Sequence, residues 1–225
     1  MVKKNKAVLF TDIKSSSKLW AKYGSLMSKA LDTHDKQIRL VLTKHNGMIL
    51  KTIGDAYMIL FDTLEQSFNF STELVTLMKQ VPIYLNTSKT SKDVLRIRMG
   101  FCFGKVDIKK VNIQNKSLID VFGSTVNKAS RMESKVSDVG GFAFCRDDNK
   151  HINLDNNKKI KSSSLSGSND LNIVHIEYAN KCVNKGKRYM KRSLRLLSSE
   201  QQTYECKQKD ELHGVGKVHA YKLSF

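Results

Sequence analysis

The centre of the folding pattern is the stretch from residue 48 to residue 61, which reads MILKTIGDAYMILF. It contains two short apolar runs, MILKTI and AYMILF, and both have the composition of β-strands. Gly54 and Asp55 join the two runs, and turn-forming residues between strand-like runs predict a tight hairpin. The other elements are found by working outward from this hairpin in both directions.

An amphipathic helical region precedes the hairpin. Apolar residues recur at steps of three and four between Leu19 and Leu42, and we expect a break near Gly24 and a C-terminal cap at Gly47. Before this region, the run VLF at residues 8–10 predicts a buried strand that ends at Asp12.

A second helix and a fourth strand follow the hairpin. Thr63 and Gln66 have the spacing of a capping box, which predicts a helix start. The run LRIRMGFCFGKV at residues 95–106 alternates like a strand, and Gly100 and Gly104 allow another backbone to approach it closely. The order strand, helix, strand, strand, helix, strand predicts an α+β fold, a ferredoxin-like sandwich.

The composition is that of a globular chain with a strongly basic surface. The 225 residues are 40% hydrophobic and carry a net charge of +18. No apolar run approaches the length of a membrane span, and the four cysteines are too scattered for a zinc site or a disulfide scaffold, so we expect a reducing, cytoplasmic location. The charge attracts polyanions, which leaves contact with nucleic acid or an anionic surface open beside a merely solvated basic surface.

Two carboxylates are predicted to meet at one end of the sheet. In a ferredoxin-like sheet the first strand lies beside the hairpin, so Asp12 at its end comes close to Asp55 at the hairpin tip. Two such carboxylates suit a divalent cation bound to a nucleotide phosphate, and a pair of aspartates that bridges two metals serves in-line displacement at phosphorus. The plainer alternatives are a helix cap or pairing with a basic residue for Asp12, and a turn position for Asp55.

A third stretch, DVFGSTVNKASRMES at residues 120–134, supplies complementary groups. Gly123 followed by Ser124 indicates a helix start, and Asn127 and Arg131 are four residues apart, so both project from one helical face. Such a face is able to hold a ribose oxygen and neutralise charge on a phosphoryl group, although an ordinary exposed face is the alternative interpretation.

Three motifs together carry a family resemblance. FTDI, KTIGDAYM and DVFGSTVNKASRM, in this order and with these separations, resemble the catalytic domain of class III nucleotidyl cyclases, the adenylate and guanylate cyclase family. The resemblance runs continuously over residues 7–144, and ELHGVGKVHAYKLSF is similar to the closing strands of the family. We therefore expect one catalytic domain over residues 1–225, with extra C-terminal strands and a basic insertion over about residues 147–210 before the closing strands at 211–225.

The resemblance implies a homodimer with two active sites at its interface. It implies that Asp12 and Asp55 hold two Mg²⁺ or Mn²⁺ ions per site and that Ile13 contributes its carbonyl. Asn127 would orient the ribose, and Arg131 would stabilise the pentavalent transition state.

The resemblance also assigns Lys51 and Asp120 to the purine edge. Adenine offers an amine donor and a ring-nitrogen acceptor, which a carboxylate and an ammonium complement, whereas guanine reverses this pattern. We therefore expect ATP to be converted to 3′,5′-cyclic AMP and pyrophosphate. One departure from the family is His213, which stands where a lysine usually grips the triphosphate. A neutral imidazole there would make triphosphate binding weaker or pH-dependent, unless Lys217 or a basic residue of the insertion substitutes. The favoured interpretation is an incidental replacement in an enzyme that retains activity.

Several alternatives remain open. A guanylate or pyrimidine nucleotide cyclase and a catalytically weak homologue that binds nucleotide as a regulatory subunit are compatible with the same motifs. An RNA-binding module is more distant, because the strand at residues 95–106 lacks the spaced aromatic residues that stack on bases.

Overall fold

The computed structural model describes residues 1–86, 89, 93–113, 116–148, 172–184, 187–196, 203–206 and 218–224. Its helices are α1 (Ser16–Tyr23), α2 (Ser25–Lys44), α3 (Leu64–Gln80) and α4 (Ser124–Arg131), and α4 continues into a π-helical turn over Met132–Val136. Its strands are β1 (Val2–Ile13), β2 (Met48–Ile53), β3 (Ala56–Phe61), β4 (Ile97–Ile113), β5 (Lys116–Phe122), β6 (Phe142–Arg146), β7 (Asn172–Asn184), β8 (Lys187–Leu196), β9 (Thr203–Cys206) and β10 (Val218–Ser224).

The ferredoxin-like order predicted from the sequence is confirmed. The first four strands lie in the order β2, β3, β1, β4, and each neighbouring pair is antiparallel. Beyond β4 the sheet continues through β6, which is parallel to β4, and then through β10, β7, β8 and β9. The strand β5 pairs with the far end of β4. The expected insertion thus contributes the strands β7, β8 and β9 to the same sheet.

The long helical region divides where the sequence indicated. Gly24 separates α1 from α2 and has a left-handed φ of 48°, which a residue without a side chain adopts at little cost. The predicted capping box at the start of α3 is also present, since the Thr63 side chain accepts the Gln66 N–H and the Gln66 side chain accepts the Thr63 N–H. These signals are local, so the sequence was sufficient to find them.

The end of α2 differs from the prediction. The left-handed residue is Asn46, with φ 52°, and not Gly47. Gly47 is the next residue of the loop that ends the helix, and its N–H donates to the Leu42 carbonyl at 3.4 Å. A Cβ on Gly47 would overlap the side chains of Leu42 and Phe61, so this glycine is required by packing.

The sheet has a hydrophobic cluster on each face. One cluster joins the sheet to α2 and α3 through residues such as Leu9, Ile38 and Phe101. The other joins the opposite face to α4 and contains Val8 and Ala129, among others. Among the described residues, no helix is both long and apolar enough to cross a bilayer.

Candidate active site

The structure places Asp12 and Asp55 at the same end of the sheet. The ladder between β1 and β3 ends at the pair Thr11 and Tyr57, where the Tyr57 N–H also donates to the Thr11 hydroxyl at 3.2 Å. Asp12 is the next residue along β1, and Asp55 lies in the turn two residues before Tyr57. Because the two strands are antiparallel, both carboxylates emerge beside the hairpin tip.

Asp55 carries an unsatisfied oxygen. Its Oδ2 atom is buried and has no hydrogen-bond partner among the described residues. A buried carboxylate oxygen without a partner costs free energy, and a cation is the ligand that removes this cost. The donor set therefore fits a hard divalent ion, which prefers carboxylate and carbonyl oxygens.

The protein supplies few ligands beyond this pair. In the described part of the chain, no group of three or more histidine, cysteine or acidic side chains is arranged to hold a metal ion. Ile13 follows Asp12 with its side chain buried in the core, so only its backbone carbonyl is available as a ligand. A metal ion with so few protein ligands completes its coordination with water and substrate phosphate, as Mg²⁺ does at nucleotide sites.

Arg98 and Glu133 extend the site, and the sequence analysis missed both. Arg98 lies directly opposite Asp12 in the ladder between β1 and β4. Its Nη2 and Nε atoms donate to Asp12 Oδ2 at 2.7 and 3.2 Å. The Nε atom also lies 2.6 Å from Glu133 Oε1, so one guanidinium joins two carboxylates. The missed signal was the register, which places residues 12 and 98 side by side.

The surroundings of Glu133 raise the pKa of its carboxyl group. Burial raises the pKa of Glu133 to about 7, the Arg98 guanidinium opposes this rise, and the negative charge of Asp12 adds to it. Glu133 reaches this position because the π-helical turn packs directly on β4 at Gly100. A Cβ on Gly100 would overlap the backbone of Met132 and Glu133, which confirms the close approach predicted for this glycine.

The structure brings Lys51 and Asp120 into contact. Lys51 Nζ donates to Asp120 Oδ1 at 2.8 Å, and the same oxygen accepts the Val121 N–H at 2.9 Å. The Lys51 ammonium holds the pKa of the Asp120 carboxyl below its ordinary value. Both side chains are partly exposed, so the pair presents a cationic donor and an anionic acceptor side by side to a ligand.

A β-bulge sets the direction of Lys51. In the ladder between β2 and β3, Ile49 pairs with Ile59 but Lys51 pairs with Met58, so Leu50 is an extra residue. Ile59 belongs to the cluster under α2 and α3, whereas Met58 belongs to the cluster under α4. The bulge therefore turns Lys51 to the α4 side of the sheet, on which β5 brings Asp120.

Asn127 and Arg131 lie on α4, as predicted, and on its outer side. The inner side of this helix is formed by Thr125, Lys128 and Ala129, which are buried. Asn127 is exposed, and Arg131 is half-buried. Within the described ranges, no hydrogen bond or ion pair joins either side chain to Asp12, Asp55, Lys51 or Asp120.

A buried ion pair fixes α4 to the sheet. Lys128 Nζ lies 2.9 Å from Asp147 Oδ1 and donates to the Asp147 carbonyl at 3.0 Å. Asp147 directly follows β6. Its Oδ2 atom accepts a hydrogen bond at 2.8 Å from the hydroxyl of Ser124, the first residue of α4. This contact decides where Asn127 and Arg131 project. The remaining predicted site residue, His213, lies outside the described residues.

Comparison with known protein families gives a match over most of the chain. The family model of the adenylate and guanylate cyclase catalytic domain matches residues 2–140. An adenylate cyclase of Podospora anserina is 30% identical over 154 residues, which are 63% of this chain and 7% of that protein. A receptor-type adenylate cyclase of Trypanosoma brucei brucei is 27% identical over 157 residues, 56% of this chain and 13% of that protein. The chain thus spans only a small part of the length of these relatives.

Solved structures share the fold. A guanylate cyclase domain from Catenaria anguillulae in complex with GTP has a TM-score of 0.57 at 16% identity and covers 100% of this chain and 98% of its own. An adenylate cyclase from Trypanosoma brucei in its monomeric state has a TM-score of 0.57 at 21% identity, with 97% and 89% covered. A dimeric guanylyl cyclase domain from Blastocladiella emersonii has a TM-score of 0.58 at 18% identity, with 99% and 98% covered. Taken with the family match over residues 2–140, this likeness shows that the chain belongs to the adenylate and guanylate cyclase catalytic domain family.

Proposed function

We propose that this cyclase domain converts ATP to 3′,5′-cyclic AMP and pyrophosphate. The ribose 3′-oxygen would attack the α-phosphorus, and the bond from that phosphorus to the bridging oxygen of pyrophosphate would break. The observation that carries the choice of ATP is the contact between Lys51 and Asp120. An ammonium donor beside a carboxylate acceptor complements the ring nitrogen and amine of adenine and leaves the carbonyl of guanine facing a carboxylate.

The proposal gives the two aspartates the metal-binding role. Asp12, Asp55 and the Ile13 carbonyl would hold two Mg²⁺ or Mn²⁺ ions, and the partnerless oxygen of Asp55 supports this assignment. Such ions, when bound, activate a hydroxyl nucleophile and neutralise charge on phosphate. Arg98 orients the Asp12 carboxylate from the opposite strand through its two hydrogen bonds.

The other predicted residues would act on the nucleotide from a second subunit. Asn127 would orient the ribose and Arg131 would stabilise charge on the transferring phosphoryl group, because an arginine is always ionised and donates several hydrogen bonds. Within the described part of one chain, neither side chain is hydrogen-bonded or ion-paired to the aspartates, which leaves both able to act on a nucleotide held by a second subunit in a homodimer with interfacial sites. The guanylyl cyclase domain from Blastocladiella emersonii, which has the same fold, forms a non-canonical dimer.

The domain organisation and the triphosphate contact belong to the same proposal. Residues 1–225 would form one catalytic domain in which the basic insertion, about residues 147–210, precedes the closing strands at 211–225, and the positive charge of the insertion would attract an anionic surface or nucleic acid. His213 would replace the usual lysine at the triphosphate, so binding would weaken as the imidazole loses its proton. A nucleotide substrate of this kind is available in the cytoplasm, where we place the enzyme.

Product identification tests the substrate. The purified chain is incubated with ATP, GTP, CTP or UTP in the presence of Mg²⁺ or Mn²⁺, and the products are identified by mass spectrometry. We expect cyclic AMP as the main product. A preference for any other nucleotide would refute the assignment of Lys51 and Asp120 to adenine.

Two sets of variants test the site. Asp12→Ala and Asp55→Ala should each abolish turnover, and the shift in melting temperature that Mn²⁺ gives the unchanged protein should disappear in Asp55→Ala. An equal mixture of Asp55→Ala and Arg131→Ala should recover activity, because a heterodimer contains one undamaged site. Full activity of either aspartate variant would overturn the metal assignment, and no recovery after demonstrated subunit exchange would overturn the shared site.

A double substitution tests the selection of ATP over GTP. Replacing Lys51 by Glu and Asp120 by Cys exchanges donor and acceptor at the base edge, so the ratio of kcat/KM for ATP to that for GTP should fall. One mismatched hydrogen bond in a buried pocket is worth about 1 to 3 kcal/mol, which is roughly one to two orders of magnitude in that ratio. An unchanged ratio would remove these two residues from base selection.

One contact favours a second function, nucleotide binding without turnover. Arg98 Nη2 donates a hydrogen bond to Asp12 Oδ2 at 2.7 Å, and this contact leaves the Asp12 carboxylate less available to a metal ion. A regulatory cyclase homologue would bind ATP and form no product in the assay above. Formation of cyclic AMP at a rate that Asp55→Ala abolishes would reject this second function.

A further inference from the structure

A cavity of about 490 Å³ lies between the end of α3 and the start of β4. It is bounded by the last turns of α3, by described residues between Pro82 and Ile97, and by Val139 and Gly140, which precede β6. Its volume is within the range of small-molecule sites, which is about 300 to 1,000 Å³. None of the described residues that are predicted to bind nucleotide or metal lines it.

The walls of the cavity are mainly apolar. They are formed by Val75, Met78, Pro82, Tyr84, Val94, Leu95, Ile97 and Val139. Two of these, Tyr84 and Val139, are 37% and 39% exposed, so apolar surface continues to the mouth. An apolar pocket that opens through an apolar rim favours a ligand with a hydrocarbon or aromatic body.

The polar part of the lining has one sign of charge. Lys79, Lys89 and Arg96 contribute cationic side chains, and the described lining contains no acidic side chain. An apolar chamber with cationic groups complements a molecule with an apolar body and an anionic head. A carboxylate is the simplest such head, because it accepts charge-assisted hydrogen bonds from lysine and arginine.

The wall segments at residues 83–86 and 93–95 are held in place by hydrogen bonds. The Leu85 N–H donates to the Asp93 carbonyl at 2.7 Å, and the Leu95 N–H donates to the Ile83 carbonyl at 2.9 Å. The Asp93 side chain accepts hydrogen bonds from Asn86, at 2.6 Å, and from Tyr23 at the end of α1. The cavity is therefore part of the folded domain and is preorganised for binding.

We propose that this cavity is a binding site for a small amphipathic carboxylate, with the apolar body against α3 and Leu95 and the carboxylate at the ammonium of Lys89. The site is separate from the nucleotide site, so the proposal stands independently of the function proposed above.

Calorimetric titration of the full chain with decanoate tests the proposal, and decan-1-ol serves as the uncharged probe of matched chain length. We expect saturable binding of one decanoate per chain and at least tenfold weaker binding of the alcohol. Lys89→Met should weaken decanoate binding by about three- to tenfold and leave alcohol binding unchanged. Val139→Trp should weaken both, because it fills the mouth of the cavity.

Lys4→Met is the matched control, because Lys4 is an exposed lysine near the start of β1, at the opposite end of the strand from the cavity. It should leave decanoate affinity unchanged, and circular dichroism confirms that each variant is folded. The proposal is overturned by a lack of saturable decanoate binding, by equal affinity for decanoate and decan-1-ol, or by an equal effect of Lys4→Met and Lys89→Met. The last result would mean that decanoate responds only to the net positive charge of the chain.

Discussion

The ion pair between Lys128 and Asp147 allows a quantitative test of how α4 is held. In Asp147→Ala, the ammonium of Lys128 loses its counter-charge while it stays almost enclosed, since the Lys128 side chain is only 9% exposed. Loss of one partner from a buried pair typically costs about 3 to 5 kcal/mol. The Asp147 backbone carbonyl still accepts a hydrogen bond from Lys128 at 3.0 Å, and this contact reduces the cost. We therefore expect the free energy of unfolding to fall by about 2 to 4 kcal/mol.

A double-mutant cycle separates the ion pair from general damage. The double variant Lys128→Met/Asp147→Ala contains neither charge of this pair. It should therefore recover most of the unfolding free energy that Asp147→Ala loses. Urea denaturation followed by circular dichroism gives each free energy, and an unchanged dependence on urea concentration confirms comparable folded and unfolded states. Two results would refute the reasoning. One is a loss of unfolding free energy below about 0.5 kcal/mol in Asp147→Ala, and the other is a loss in the double variant that equals the sum of the losses in the two single variants.

The remaining predictions concern three other positions. Gly100→Ala should destabilise the fold by about 3 kcal/mol in urea titrations because its Cβ meets the backbone of the π-helical turn, whereas Gly24→Ala, which meets open space at a left-handed φ, should cost about 1 kcal/mol. Equal losses would contradict this packing argument. Burial lowers the pKa of His34 to about 4, from 6.5, so the unfolded chain binds a proton that the folded chain excludes, and the contribution of His34 to the free energy of unfolding should fall by about 3 kcal/mol as the pH decreases from 6.5 to 4. The raised pKa of Glu133 acts in the opposite direction over this range, so the His34 contribution is measured as the difference between the unchanged protein and a His34 variant. His34→Leu should remove this part of the pH dependence in thermal melts, and the half-buried control His45→Leu should retain it. With no added metal, the melting temperature of Asp55→Ser should equal or exceed that of the unchanged protein, because the substitution removes a buried oxygen that has no partner. A clearly lower melting temperature would contradict this prediction.

The part of the fold that the sequence predicted rests on short-range signals. The break at Gly24, the capping box at Thr63 and the turn at Gly54 each depend on a few neighbouring residues, and the order of these elements was sufficient for the ferredoxin-like sheet. The end of α2 was assigned to the wrong residue. Asn46 tolerates a left-handed backbone, and Gly47 is needed because a Cβ there would overlap Leu42 and also Phe61, which is 14 positions away.

The unpredicted parts of the candidate site depend on register. Arg98 meets Asp12 because two strands separated by more than 80 residues pair at one particular alignment. The orientation of Lys51 depends on a bulge at Leu50, which no residue pattern in β2 indicates. Hydrophobic alternation specifies which face of a strand is buried, but it does not specify which residue of a distant strand lies opposite.

The position of β10 has a consequence for the order in which the chain folds. Residues 218–224 lie between β6 and β7, so they join the ferredoxin-like strands to the strands of the insertion. During synthesis from the N-terminus, β7, β8 and β9 leave the ribosome before the strand that connects them to the rest of the sheet. They are able to form their own antiparallel ladders, but the edge of β6 stays unpaired until β10 arrives. The sheet is therefore completed by a late, long-range pairing step, which makes folding slow and leaves two strand edges exposed to other chains in the interval.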